Sequence, residues 1–567
     1  MSDIDGLAST ADAQNAERAA HAQAETNAGV ARATGVLALG NIASRVLGLA
    51  REVALTNLFG ASRAVDAFNY AILVPKTLYD LLIAGHVNGA IIPVLSEVVT
   101  RDGQKALWQL VSILLSSLTA LLALLVLALE FFAPQVIRVI SSGADAATQA
   151  LATDLLRLTS PALLFLSLFA ILSGTLYALR SFKWPAFAGA VFNATVVVFT
   201  ILLAPPLQIM PEVSASGVEW LAARPAEGIR AAALGWLLGA VVQMALQLPG
   251  LRGARLRLTL RWNHPAIRQI GRLYVPVMFS LIIDTLVRTF SYNLASQTGV
   301  GSVSYMNWAT TLIQFPQGLV ATAISIAILP TLSRQAALIA LDRGDSTNRK
   351  AFKDTLGLGL RLAITLIVPA AIGLFVLAVP IIDLLFEHGA FTAADTQITA
   401  LALRLYLIGL PFAAVDLLLV YAFYARQDTL TPALVGLASL LIYTLVAVTL
   451  LPVYGLFSLM IADSVKHIVH ALVSAVLLNR RIGGYGSQRL LATIGKTALA
   501  ALVMGLAALI AEPALEQVIG RTTLLRELAL VTVSGGLSVL VFAVMASLLR
   551  IEELGWMWGM LRQKLGR

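Results

Sequence analysis

The chain has 567 residues, 58% of them hydrophobic and only 13% charged, with a mean hydropathy of +0.83. That apolar content exceeds what a water-soluble globule carries, so this is a membrane protein, and its formal net charge of +9 reports topology rather than nucleic-acid binding. Cys is absent and the six His show no HExxH or paired-ligand spacing, which excludes disulfides, thiol nucleophiles and an arguable metal centre, and no cofactor is expected.

Residues 1–30 are rich in Ala, with scattered Asp3, Asp5, Asp12, Glu17 and Glu25. They lack the basic start and short apolar core of a signal peptide and read as a disordered cytoplasmic tail. A bilayer's hydrocarbon core needs ~20 mostly apolar helical residues to cross it. Such segments recur at 33–57, 66–98, 106–132, 151–179, 185–204, 229–249, 265–297, 303–333, 355–378, 396–425, 431–451, 455–478, 490–511 and 523–549. Long Leu/Ala/Val runs without alternation argue for helices over a barrel, giving an all-α polytopic protein with fourteen transmembrane helices. After spans 3 and 9, Ala133–Ser141 and Val379–Phe391 read as interfacial helices on the outer surface. The tail 551–567, with Trp556, Trp558, Arg562 and Lys564, reads as an amphipathic counterpart on the inner surface.

Basic residues fix the orientation. The segment after span 6 carries Arg252, Arg255, Arg257, Arg261, Arg268 and Arg272, and that after span 8 carries Arg334, Arg343, Arg349, Lys350 and Lys353. Arg480, Arg481 and Arg489 follow span 12, whereas the loop after span 9 offers only Asp383, Glu387 and Asp395. All basic clusters follow even-numbered spans, so both termini are predicted to be cytoplasmic, and the alternation itself supports an even count.

An internal repeat divides the chain. Pro93-Val94-Leu95-Ser96 ends span 2 as Pro330-Thr331-Leu332-Ser333 ends span 8, and Tyr177 precedes Pro185-Ala186 by the spacing at which Tyr424 precedes Pro432-Ala433. Residues 31–250 (spans 1–6) and 262–480 (spans 7–12) are therefore predicted to form two parallel lobes, followed by spans 13 and 14 within 488–550. Parallel repeats are a transporter architecture whose site lies between the halves near the midplane.

Placing Arg or Asp at a helix centre in lipid costs on the order of 2.5–3.5 kcal/mol, so each such residue needs a partner or a watery cavity. Span 1 contains Arg45 and Arg51; span 2 contains Asp66, Lys76 and Asp80; span 7 contains Asp284 and Arg288, whose i,i+4 spacing predicts an ion pair. Arg51 and Asp66 also suit a membrane interface, and the Asp284/Arg288 pair also suits a structural clasp. Span 10 holds Asp416. Asp463, Lys466, His467 and His470 of span 12 lie near a cytoplasmic end and read as a solvated face rather than a proton relay. Span 2 is interrupted by Pro75, Gly85 and Gly89, and span 8 by Pro316 and Gly318, so both are predicted to kink and to line a central cavity. A cationic lining there suits an anionic ligand such as a pyrophosphate.

No enzyme motif competes with this reading. Gly495-Lys496-Thr497 lacks the Gly that a phosphate-binding loop needs five residues before Gly495, where Leu490 stands. No segment is long enough for an ATP-binding domain. Energy must then come from the membrane potential, a cation gradient or mass action, and no covalent chemistry is expected.

Several strings resemble the MurJ/MviN lipid II flippases of the multidrug/oligosaccharidyl-lipid/polysaccharide exporter superfamily. They are Ser44-Arg45-Val46-Leu47-Gly48-Leu49-Ala50-Arg51-Glu52, Phe59-Gly60 to Asp66-Ala67-Phe68, Phe315-Pro316-Gln317-Gly318, Gly389-Ala390-Phe391-Thr392 and Phe423-Tyr424-Ala425-Arg426-Gln427-Asp428. The match runs in order over about residues 33–480. The resemblance implies two lobes in alternating access and two C-terminal helices forming a groove for a lipid tail. It implies lipid II as substrate, an undecaprenyl-pyrophosphate-linked precursor of peptidoglycan, with membrane lipids and cell-wall synthesis proteins as partners in a bacterial cytoplasmic membrane. Family residues needed for function fall on Arg45, Arg51 and Asp66, with Ser44 and Gly48 in the same motif. The chain departs from the family at Tyr79 and Thr311, where Arg is common, and at Ala84, where Glu is common. Lys76 and Arg288 either replace those cations from other positions or the cargo differs. Three readings follow: a lipid II flippase, an exporter of another polyprenyl-linked glycan or amphipathic substrate, and a non-transporting scaffold for wall synthesis.

Overall fold

The computed structural model describes residues 35–84, 91–214, 217–261, 264–342, 346–485, 488–521 and 523–555. The tail 1–30, Gly85, Gly89 and the amphipathic stretch from Trp556 onward lie outside them.

Chain order is α1 (35–59), α2 (Arg63–Tyr79), α3 (Ile92–Arg101), α4 (Gly103–Ile140), α5 (Ala146–Thr159), α6 (Ala162–Ala178) and α7 (Lys183–Leu203). A hairpin follows, β1 (Gln208–Ser214) and β2 (Gly217–Ala223), and then α8 (Arg230–Ala245) and α9 (Pro265–Ser296). The remainder is α10 (Ser302–Pro316), α11 (Ala323–Leu341), α12 (Ser346–Val376), α13 (Ala378–Phe386), α14 (Ala393–Ala425), α15 (Leu430–Tyr454), α16 (Phe457–Ile482), α17 (Leu490–Ile519) and α18 (Leu524–Leu548). Among the described residues eleven helical runs are long and apolar enough to cross a membrane. The three further spans expected from sequence coincide with α1, with α2 and α3, and with α9, so the count of fourteen stands on the sequence.

The membrane-crossing part is all-α, as expected, and the hairpin is the addition to it. β1 and β2 pair antiparallel from Gln208↔Ala223 to Ser214↔Gly217. Pro205, Pro206 and Pro211 deny this stretch a helix, and Pro211 is tolerated because a two-stranded ribbon has only edge strands. Two short separate helices were expected at the outer surface, and one separate helix forms. Ala133–Ser141 instead continues α4 through Pro134 to Ile140, whereas α13 is a separate short helix. Span 4 is built from α5 and α6, broken at Ser160 and Pro161.

Spans 2 and 8 are each interrupted, although α2 itself runs unbroken through Pro75. Each passes into a π-helical turn, Asp80–Ala84 after α2 and Gln317–Thr322 after α10, which shifts the helix face. Elsewhere small residues let helices approach closely. Gly409 of α14 abuts Ser464 of α16, whose hydroxyl donates to the Leu405 carbonyl (2.6 Å) and accepts from the Gly409 amide (3.0 Å). Gly235 and Gly239 of α8 likewise meet Val196 and Phe192 of α7.

Burial is distributed unevenly along the helices. One continuous core joins the two sequence halves, from Leu55, Phe68 and Leu129 to Trp308, Phe386 and Leu403. Towards the other end the buried residues separate into one cluster drawn from residues 91–251 and another drawn from residues 332–482. The halves are thus sealed together at the end holding the starts of α2 and α10, and at the opposite end their buried clusters split apart, with α9 still reaching α3 where Gln269 Nε2 donates to Glu97 Oε2 (3.4 Å). α17 and α18 form a pair docked on α12 through Met504, Phe542 and Ile372.

Candidate functional site

Between the halves lies a cavity of about 390 Å³ lined by α1, α2, α7, α8, α9 and α10. On α1 the lining residues Ser44, Arg45, Gly48, Arg51 and Glu52 recur at helical spacing and share one face. Asn69, Leu73 and Lys76 do the same on α2, and Asn307, Thr310, Thr311 and Gln314 on α10.

Arg51 is held on three sides. Its Nε and Nη2 donate to Glu52 Oε1 (3.2 and 2.6 Å), its Nη1 donates to Asn193 Oδ1 (3.1 Å), and its guanidinium lies 5.4 Å from the Trp236 ring centroid. Asn193 in turn donates to the Ser44 carbonyl (3.1 Å). Trp236 stands edge-on to Phe68 and Phe192, which fixes the platform. Arg45 crosses to the other half: its Nη1 donates to the Gln314 carbonyl (3.1 Å), and its guanidinium fills the space beside Gly318, where a Cβ would stand 2.2 Å from Nη2. That carbonyl lies at the end of α10, just before Pro316 and the π-helical turn.

Lys76 and Arg288 also reach the cavity, so that among the described residues four cations and one carboxylate, Glu52, line it. Asp80 lies 3.8 Å from Arg288, joining α2 to α9. The sequence paired Arg288 with Asp284 by spacing; α9 also packs against the π-helical turn that carries Asp80, and this contact supplies a carboxylate. The Asp284 side chain lies outside the described ones. Thr311, where the family has Arg, faces the same cavity with its hydroxyl on the Asn307 carbonyl (2.9 Å), whereas Tyr79 packs among apolar side chains.

Asp66, expected among the functional residues as a carboxylate orienting Arg45 and Arg51, lies away from the cavity. It is 4% exposed at the sealed end and accepts from the Gly301 amide (2.6 Å), the Ser304 amide (3.0 Å) and the Ser304 hydroxyl (2.7 Å). α10 has no side-chain cap of its own, so Asp66 on α2 caps it across the divide. The Asn57 carbonyl, accepting from the Ala390 amide (2.9 Å), and Ser296, accepting from the Gly143 amide (3.0 Å), close the same end.

The span 12 group is also corrected. Lys466 pairs with Asp463 (2.5 Å) and His470 with Asp416 of α14 (2.5 Å), all four side chains less than a quarter exposed. They form a polar network between α14 and α16, with Lys466 over the Tyr443 ring of α15, rather than a solvated face. Among the described residues no group of three His, Cys, Asp or Glu is placed to hold a metal ion. Sequence reasoning did not select Asn193, Trp236, Asn307 or Gln314; an uncharged polar or aromatic residue in an apolar span carries no signal that separates lining from packing.

A profile of the family Lipid II flippase MurJ matches residues 55–528. The chain belongs to that family. It is 32% identical over 375 residues to the lipid II flippase MurJ of Burkholderia cenocepacia, covering 65% of this chain and 68% of that one. It is 31% identical to the probable lipid II flippase MurJ of Vibrio cholerae, covering 65% and 67%. Among solved structures, a lipid II flippase MurJ in an inward closed conformation superposes with a TM-score of 0.70 at 22% identity, over 94% of this chain and 99% of that one. An inward-facing MATE transporter of the MOP superfamily gives 0.58 at 14%, over 78% and 96%. MurJ and MATE proteins thus share this fold.

Proposed function

We propose that this MurJ-family chain translocates lipid II across the bacterial cytoplasmic membrane by alternating access between lobes 31–250 and 262–480, without covalent catalysis. The observation that carries the reading is a cavity between two halves that are sealed at one end and split at the other, with four cations facing it. The basic clusters, including Arg252 to Arg272 and Arg334 to Lys353, lie at the split end, which the positive-inside rule assigns to the cytoplasm with both termini. On that orientation the sealed end faces outward. Lys76, Arg45 and Arg51 hold the pyrophosphate, Arg45 exchanging the Gln314 carbonyl for a phosphate oxygen, a stronger charge-assisted acceptor. Asp80 positions Arg288, Pro316 and Gly318 shape the bend that Arg45 contacts, and Asp66 serves as an outer latch. A volume of about 390 Å³ is at the small end for a ligand pocket. The cavity must widen at its cytoplasmic side to admit the disaccharide-pentapeptide.

Moving an anion outward follows a membrane potential negative inside, worth about 2.3 kcal/mol per charge per 100 mV. We propose this as the driving force, with wall-synthesis proteins consuming the product outside. Complementation of a flippase-depleted bacterium tests the activity: growth with the wild type and lysis with well-expressed Arg45→Ala or Arg51→Ala are expected, whereas growth with both variants sinks the transport reading and favours a scaffold. The departures at Tyr79 and Thr311 support a second reading, another polyprenyl-pyrophosphate-linked glycan. Efficient transport of such a lipid by purified protein, with none of lipid II, would establish it.

A further inference from the structure

A second cavity, of about 480 Å³, shares no lining residue with the first and lies at the foot of α17 and α18, against α12. Four cations line it: Arg361, Arg489, Lys496 and Arg550. Its carboxylates are largely engaged. Glu553, only 6% exposed, accepts from Arg361 Nε (2.7 Å), Asp354 accepts from Gln488 Nε2 (2.7 Å), and Glu552 lies 3.6 Å from Arg489 at the exposed rim. Among the described residues Lys496 donates only to the Arg550 carbonyl (3.2 Å), and neither Lys496 nor Arg550 has a carboxylate partner there. Arg489 and Arg550 also adopt left-handed backbone, φ +50 and +51, a conformation that glycine would take without steric cost. Arginine side chains are thus held at two strained positions around one cavity, as at ligand-binding sites.

The helix above the cavity indicates what the ligand carries besides an anion. From Lys496 the positions Leu499, Val503, Leu506 and Ile510 follow at spacings of three and four, forming one apolar face of α17; Leu499, Leu506 and Ile510 are half or more exposed. A cationic cavity at the foot of such a stripe fits a phosphate joined to a hydrocarbon chain better than a free anion.

We propose that this cavity binds the headgroup of an anionic phospholipid, its phosphate between Lys496 and Arg550 and an acyl chain along Leu499 to Ile510. Its assignment to the cytoplasmic leaflet rests on the orientation given above; the binding itself does not depend on flipping. The site is distinct from the transport cavity, and an occupant there braces the α17–α18 pair against α12. The test is native mass spectrometry of the full chain released from micelles containing phosphatidylglycerol and phosphatidylcholine. The wild type retains phosphatidylglycerol in preference to phosphatidylcholine, and the Lys496→Gln/Arg550→Gln pair retains on the order of tenfold less. The charge-keeping pair Lys496→Arg/Arg550→Lys holds it as the wild type does, which separates loss of the site from loss of the fold. Equal retention by the wild type and the neutral pair, equal loss in both pairs, or displacement of the lipid by millimolar inorganic phosphate overturns the proposal.

Discussion

At the scale of single residues, the cavity is organised by what each guanidinium touches. Arg51 spends three nitrogens on Glu52 and Asn193, a planar fork that an ammonium cannot reproduce. Arg51→Lys is therefore expected to keep the charge yet slow translocation of fluorescent lipid II in proteoliposomes about tenfold, from ~1.4 kcal/mol of lost orientation. Wild-type rates in that variant would show that charge alone suffices. Gly318 makes the complementary case. A Cβ there would stand 2.2 Å from Arg45 Nη2, so Gly318→Ala should push the guanidinium off the Gln314 carbonyl and weaken lipid II binding several-fold, read as a higher half-saturation at unchanged expression. Arg45, Arg51, Lys76 and Arg288 could be picked from the sequence because a charge in a membrane span needs a reason. Asn193 and Trp236 could not, and neither could the approach of Asp80 to Arg288. Spacing says which residues share a helix face but not what that face meets.

At the scale of elements, an interruption was legible in span 8, where Pro316 and Gly318 coincide with the π-helical turn, whereas in span 2 the turn begins at Asp80, beyond Pro75. The continuation of α4 through Pro134 was not legible: when a Pro continues a helix, neighbouring groups absorb the lost hydrogen bond, and those neighbours are set by tertiary packing. The short helix α13 shows what such packing does to charge. Asp383 is buried beside Glu387, Glu527, Arg521 and His388, and Arg521 also pairs with Glu512 and Glu516 of α17. Burial first, then Glu387 and Glu527, push the Asp383 carboxyl up to about 6 against the opposing pull of Arg521 and His388. Its folded value lies above its unfolded one, so the fold favours the protonated acid. That contribution to stability is complete below about pH 4 and is lost as the pH rises through about 6. Backbone amides of Ala378–Phe386 should therefore exchange faster at pH 7.5 than at pH 5 after correction for intrinsic rates. Asp383→Asn should abolish the difference; persistence of the pH dependence in that variant would assign it to another group.

At the scale of the whole molecule, the separation of one shared core from two divided ones defines a two-state device. Rocking the lobes must break the shared contacts while leaving the divided clusters intact, so the balance between states depends on a few polar contacts at the sealed end. Asp66 is the strongest of these, a buried carboxylate accepting from two amides and a hydroxyl at the start of α10. Hydrogen bonds to a charged group contribute about 1.5–3 kcal/mol each. Replacing the carboxylate by an amide keeps one acceptor oxygen and removes the charge, so Asp66→Asn is expected to shift the balance by about 2 kcal/mol, roughly 30-fold, towards the outward-open state. The absence of Cys makes this measurable. A single Ala61→Cys, placed where Ala61 meets Gly301, reports opening through its reaction with a membrane-impermeant maleimide from the outside. Labelling should rise by that factor in Asp66→Asn, and translocation should fall, because lipid II acts on the lobes only through its differential affinity for the two states, and a biased resting balance wastes that difference. Loss of translocation with unchanged labelling would show that Asp66 acts on the substrate rather than on the latch.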